Sequence, residues 1–178
     1  MDTLFSMWAS KKPNYNKIYQ DTLFKKLAFK MTGTEENKEM SGKLFVTNYE
    51  LYIYAFFLGY YAKDKVPLQK DDEKINFSHE IKNWGKRGKS LDRKNYTIIQ
   101  KYMFMALIAT SDIDFIDLDN QDEKGITSAV TSLRQDMEAY ANAGFIRLQD
   151  MYDENKSFLN DKVNYLNMIL NFMPLPEE

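Results

Sequence analysis

Six cations stand close together in the middle of the chain: Lys82, Lys86, Arg87, Lys89, Arg93 and Lys94, with Asp92 the one acid among them. The local charge is +5 on a chain whose net charge is −2. The cluster lies where apolar periodicity predicts a helix over 95–110 to begin. That end of a helix already carries partial positive charge from its unbonded N–H groups, so stability alone would place acids there. Cations at this position either cost stability or serve an anion. Trp84 and Tyr96 interleave with them, and such rings can stack on a base or cover a bound group. The expectation is an anion-binding surface made by Lys82, Trp84, Lys86, Arg87, Lys89 and Arg93, suited to a phosphate or a nucleic-acid backbone. The bland alternative is a solvated charge run, the commoner fate of such stretches.

Asn83 to Ser90 reads N-W-G-K-R-G-K-S and ends like a phosphate-binding P-loop. Asn83 occupies the place of the first glycine, and a P-loop needs a buried strand before it and a helix opening at its Lys-Ser pair. The preceding stretch 77–82 is polar and reads as helical instead. A glycine-bracketed turn is the simpler reading.

The far end of the same predicted helix is acidic. Asp112, Asp114, Asp117, Asp119, Asp122 and Glu123 bring −6, with no Lys or Arg in 111–123. Carbonyls already accumulate negative charge there, which suggests a docking face for a basic protein partner, centred on Asp112, Asp114, Asp117 and Asp119, or a cation site. Counted as an EF-hand from Asp117, the loop has Asp122 where glycine belongs and Ser128 where the final glutamate belongs. No metal and no cofactor are expected. The chain has one histidine, His79, and no cysteine, so it has no thiolate nucleophile, disulfide or Cys-based zinc site. No triad can be assembled around His79, and the acids offer no privileged facing pair of the kind that glycoside hydrolysis needs. The favoured class is a non-catalytic interaction or accessory protein. Its rival is a small hydrolase-type enzyme whose clustered carboxylates and His79 converge only in three dimensions.

The elements that must position these residues are helices. Thr47 to Ala62 is apolar almost all the way round and opens with a capping box, Thr47 and Glu50, in which the Glu50 carboxylate is expected to reach back to the Thr47 N–H. Such a helix is buried on every face or lies in a membrane, and this one is short of the ~18 apolar residues a bilayer needs. It reads as the central helix of an all-α fold. Around it the periodicity places helices from Tyr15 to Met31 and over 95–110, and a short one carrying Ile81 and Trp84. A long helix runs from about Glu123 to Met151 on a seam of Val130, Leu133, Met137, Tyr140 and Gly144, where Gly144 permits close approach or a kink. The last runs from Ser157 to Phe172 and buries Leu159, Val163, Leu166, Ile169 and Leu170. Five or six helices form a single compact domain over 1–178, with an N-terminal arm at 1–13 and a C-terminal tail at 173–178. Its core is expected to include Tyr52, Phe56, Leu58, Met103, Leu133 and Leu166. Aromatic residues are 15% of the chain, so many of its 12 tyrosines must sit with ring inside and hydroxyl at the edge. The first residues lack a basic n-region and an apolar h-region. A cytoplasmic monomer or homodimer off the membrane is expected, and its negative net charge limits nucleic-acid contact to something weak and local.

The stretch from Lys43 to Leu68, K-L-F-V-T-N-Y-E-L-Y-I-Y-A-F-F-L-G-Y-Y-A-K-D-K-V-P-L, resembles accessory proteins encoded beside DNA phosphorothioation systems. The features that carry the likeness are Ala55, Leu58-Gly59-Tyr60 and Val66-Pro67-Leu68. Phe77 to Trp84, Asp112 to Phe115 with Ile116, and Glu138 to Asn142 are similar to an uncharacterised Bacteroidetes helical family whose members sometimes carry a glycoside hydrolase label. The resemblance covers about the middle half of the chain. It implies the company of bacterial DNA modification or defence, and brings no site residues with it.

Overall fold

Thr47 starts the central helix as its chemistry dictates. Its hydroxyl accepts from the Glu50 N–H at 3.2 Å, while the Glu50 carboxylate reaches one residue further back than expected, to the Val46 N–H at 2.6 Å. The computed structural model describes residues 3–28, 44–85, 96–114, 118 and 123–172, without the side chain of Leu159. In chain order the elements are α1 (Leu4–Ala9), β1 (Asn14–Asn16), a π-helical turn (Gln20–Phe24) running into α2 (Lys25–Leu27), α3 (Asn48–Tyr61), β2 (Lys74–Asn76), a 3₁₀ turn (Ile81–Asn83), α4 (Thr97–Ala109), α5 (Glu123–Glu154), a 3₁₀ turn (Phe158–Asn160) and α6 (Lys162–Leu170). The chain is mostly helical, with six helices among the described residues and one two-stranded sheet of β1 and β2. No helix among these residues is long and apolar enough to cross a membrane.

The chain divides into two compact units, one of Met1–Asn14 with Ile75–Glu138 and one of Tyr15–Lys74 with Ala139–Glu178. The first unit packs α1 and α4 around aromatic rings. Phe104 lies 5.4 Å from both Phe5 and Trp8, and Phe77 lies 5.6 Å from Trp84. Met103, Leu107, Val130, Leu133 and Met137 fill the space with no exposed surface. On α4 the buried line is Gln100, Met103 and Leu107, while Ile98 and Tyr102, though on helical spacing, are exposed. Gln100 explains the rotation. Its buried amide finds a partner by donating to the Ile81 carbonyl at 2.8 Å, beside the Trp84 N–H that the same carbonyl accepts at 3.0 Å.

The second unit is built on α3 and the C-terminal half of α5. Leu51, Tyr52, Ala55, Phe56 and Leu58 are fully buried. Phe145 collects three rings, Tyr19 at 5.0 Å, Phe24 at 5.2 Å and Tyr52 at 5.8 Å. Two glycines let the helices touch backbone to backbone: Gly59 lies on the Tyr140 carbonyl and Gly144 on that of Ala55. Gly144 thus serves close approach, one of its two expected uses. Val66 is tied to α5 by its N–H on the Ala139 carbonyl (3.2 Å) and by its own carbonyl, which accepts from Asn142 Nδ2 (3.0 Å).

Two expectations fail here. The helix from Tyr15 to Met31 is interrupted: Tyr15 lies in β1, and Asn16 Oδ1 accepts from the Ile18 N–H at 3.0 Å, a local turn that delays helix entry. Residues 29–31 lie outside the described set. Leu166 is not core. It is 59% exposed, with Val163 and Leu170 also exposed, and α6 buries Tyr165 and Met168 instead. The helix restarts at Asp161, whose carboxylate caps the Val163 N–H at 2.9 Å, so the register does not run through from Ser157. Tyr165 then packs edge-on against Phe45 (5.4 Å) and Tyr54 (5.3 Å), whose hydroxyl donates to the Tyr165 carbonyl at 2.8 Å.

Candidate anion-binding cleft

The extended segment after α1 owes its path to backbone bonding. Ile81 N–H donates to the Lys11 carbonyl at 3.0 Å and Phe77 N–H to that of Pro13 at 3.1 Å. Asn76 Nδ2 bonds the Lys12 carbonyl (3.3 Å) and Asn14 Oδ1 (3.1 Å). These bonds hold Lys11 and Lys12 beside the first half of α5. Together with Ser10, Asn76, Thr131 and Arg134 they line a cleft of about 380 Å³ within the first unit.

The lining carries three cations and no acid. Lys11 and Lys12 make no ion pair among the described residues. Arg134 pairs one turn along α5 with the buried Glu138, Nη1 to Oε1 at 3.0 Å. The neutral residues are committed to bracing: Ser10 Oγ donates to the Ser6 carbonyl at 2.8 Å and Thr131 Oγ1 to the Thr127 carbonyl at 2.9 Å. An anion entering this cleft meets ammonium and guanidinium groups on a hydrogen-bonded frame, where charge-assisted bonds are about twice as strong as neutral ones.

Lys82 joins the rim. Its Nζ donates to Ser10 Oγ at 3.0 Å and pairs with Glu80 at 2.9 Å. The bond from Lys82 holds the Glu80 carboxyl below its ordinary value, and the nearby Lys12 charge adds to that. Trp84 is a correction. It is 1% exposed, packed on Phe77 with its indole N–H on the His79 carbonyl at 3.2 Å, so it cannot stack on a base. Trp84 closes the 3₁₀ turn, and the chain leaves it through Gly85, whose φ of 77° only glycine adopts freely. Lys86, Arg87, Lys89 and Arg93 lie outside the described residues.

On the acidic side Asp112 and Asp114 are exposed, while Asp117 and Asp119 lie outside the described residues. His79 is exposed and lines no part of the cleft. Among the described residues no three His, Asp or Glu side chains gather as a metal site would require. Sequence reasoning missed Lys11, Lys12 and Arg134. The Arg134–Glu138 spacing of four was readable as a helix pair, and Lys11-Lys12 as a short basic run, but only the tertiary fold brings them together.

Compared with protein-family models, with curated proteins and with solved structures, the chain finds no match.

Proposed function

We propose that this chain is a non-catalytic accessory protein that holds an anionic group, a phosphate or a nucleic-acid backbone, in the cleft of its first unit. The convergence of Lys11, Lys12 and Arg134 on one small cleft, with Lys82 at its rim, is the observation that supports this reading. The resemblance of Lys43 to Leu68 suggests a bacterial DNA-modification or defence setting in the cytoplasm. Exposed Asp112 and Asp114 then serve as part of a docking face for a basic protein partner, the protein itself being a monomer or homodimer.

The test is binding of labelled single-stranded and duplex oligonucleotides across a salt series. Neutralising about three phosphates predicts a log–log salt slope near −2 on single strands, so a fourfold rise in salt weakens binding roughly twentyfold. Lys11→Glu with Lys12→Glu should abolish binding with melting unchanged, and reversal of Lys86, Arg87 and Lys89 in the otherwise wild-type chain should weaken it. Equal binding by wild type and the Lys11/Lys12 variant, or none by wild type at low salt, would refute the reading.

A further inference from the structure

Arg134 and Glu138 stand one turn apart on α5, and their pairing is braced from outside the helix. Glu138 is 7% exposed, and its Oε1 accepts from Arg134 Nη1 at 3.0 Å, from the Asn14 N–H at 2.8 Å and from Asn14 Nδ2 at 3.2 Å. A carboxylate tied to three donors cannot swing, so the guanidinium it holds is fixed as well. A guanidinium carries five N–H groups. Among the described residues, the bond to Glu138 is the one that Arg134 makes. Arg134 lines the cleft and keeps 24% of its side chain exposed, so its remaining edge is open to a ligand. A planar fork held in place matches two oxygens of a phosphoryl group, which a point-charge ammonium cannot do.

Charge narrows the ligand further. Lys11, Lys12 and Arg134 bring +3, Glu138 subtracts one, and Lys82 and Glu80 cancel at the rim, leaving +2. A phosphomonoester carries about −1.5 to −2 at neutral pH, whereas a backbone phosphodiester carries −1. The +2 of the cleft therefore matches one terminal phosphate more closely than one backbone phosphate.

We propose that this cleft is a phosphomonoester site in which Arg134, positioned by Glu138 and Asn14, grips the terminal phosphate while Lys11 and Lys12 complete its neutralisation. This rests on the anion-binding reading above and adds that the end group, not the backbone, is what the cleft selects.

The experiment compares a labelled oligonucleotide bearing a 5′-phosphate with the same sequence bearing a 5′-hydroxyl, on the full chain, by anisotropy. Wild type should favour the phosphorylated end by about tenfold or more, as expected for a charge-assisted bidentate contact. Arg134→Lys keeps the charge but loses the fork, and should bring the ratio of the two affinities close to one. Glu138→Gln should lower the same ratio, a readout that a general loss of folded protein would not move because both ligands meet one preparation. Inorganic phosphate should compete with the phosphorylated oligonucleotide, and should compete less well in Arg134→Lys. A wild-type ratio of one, or a ratio unchanged in Arg134→Lys, overturns the phosphomonoester assignment. If Lys11→Glu/Lys12→Glu still abolishes binding of both oligonucleotides in that event, the anion-binding reading survives; if that variant binds both unchanged, the broader reading falls too.

Discussion

Phe56 and Leu166 are both large apolar residues on helical spacing, and they have opposite weights. Phe56 has no exposed surface and meets Phe57 at 5.1 Å and Tyr140 at 5.9 Å, whereas Leu166 is 59% exposed. Phe56→Ala should therefore destabilise by ~3–5 kcal/mol through lost transfer energy and a cavity. Leu166→Ala should stay within ~0.5 kcal/mol, as surface changes do. Denaturant unfolding of the two variants checks both numbers; a Leu166→Ala loss as large as that of Phe56→Ala would put α6 in the wrong register. Trp84 teaches the same lesson about the site. Its neighbours in sequence are cations, but an indole that finds a core and a carbonyl acceptor is worth more inside than on a wet surface. Lys82 was readable as part of a basic surface because a lysine beside a turn stays exposed. Arg134 was hidden in plain view within an apolar seam, since its part in the cleft depends on where Lys11 and Lys12 are carried.

At the scale of elements, α3 meets the C-terminal half of α5 through Gly59 and Gly144. A methyl added at either would land on backbone, the Tyr140 carbonyl in one case and the Ala55 carbonyl in the other. Neither carbonyl can rotate away as a side chain would. In an exposed helix, Gly→Ala gains ~1 kcal/mol of helix propensity. Here the sign should reverse: Gly59→Ala and Gly144→Ala should each lose at least the ~1–3 kcal/mol of ordinary overpacking. Thermal melting decides it, and a gain in either variant would mean that the helices are further apart than described. The central helix itself was legible because its cap and its all-round apolar surface point the same way. Four-residue steps of apolar residues also announced α5. What was not legible was phase. On α4 a buried glutamine, bonded to the Ile81 carbonyl, stands where periodicity expects an apolar residue. On α6 the cap at Asp161 resets a pattern that reads as continuous from Ser157. Local hydrogen bonds with Asn16 and Asp161 decide where helices start, and periodicity alone does not weigh them.

For the whole molecule, the abundance of tyrosine sets a limit on stability at high pH. Burial raises the phenols of Tyr15, Tyr19, Tyr54, Tyr60 and Tyr165 above their ordinary value. Tyr19 is pushed to about 12, by desolvation first and then by the charges of Asp72 and Asp150. In the unfolded chain these groups ionise near pH ~10. Below that value both states hold the phenolic protons, and stability is insensitive to them. Above it the unfolded chain releases protons that the folded chain retains, so the unfolding free energy falls with rising pH, most steeply between about 10 and the folded values. Each ionisation also adds negative charge to a chain that already carries −2, which adds self-repulsion. Denaturant midpoints should therefore be level across mildly alkaline buffers and drop beyond pH ~10. Tyr54→Phe isolates one contributor. It loses the hydrogen bond to the Tyr165 carbonyl and should cost about 1 kcal/mol at neutral pH, yet its stability should decline less steeply with alkali than that of the wild type. A wild-type midpoint that holds steady past pH 11, or a Tyr54→Phe decline as steep as the wild type's, would show that these phenols ionise inside the folded chain and are not held in its core.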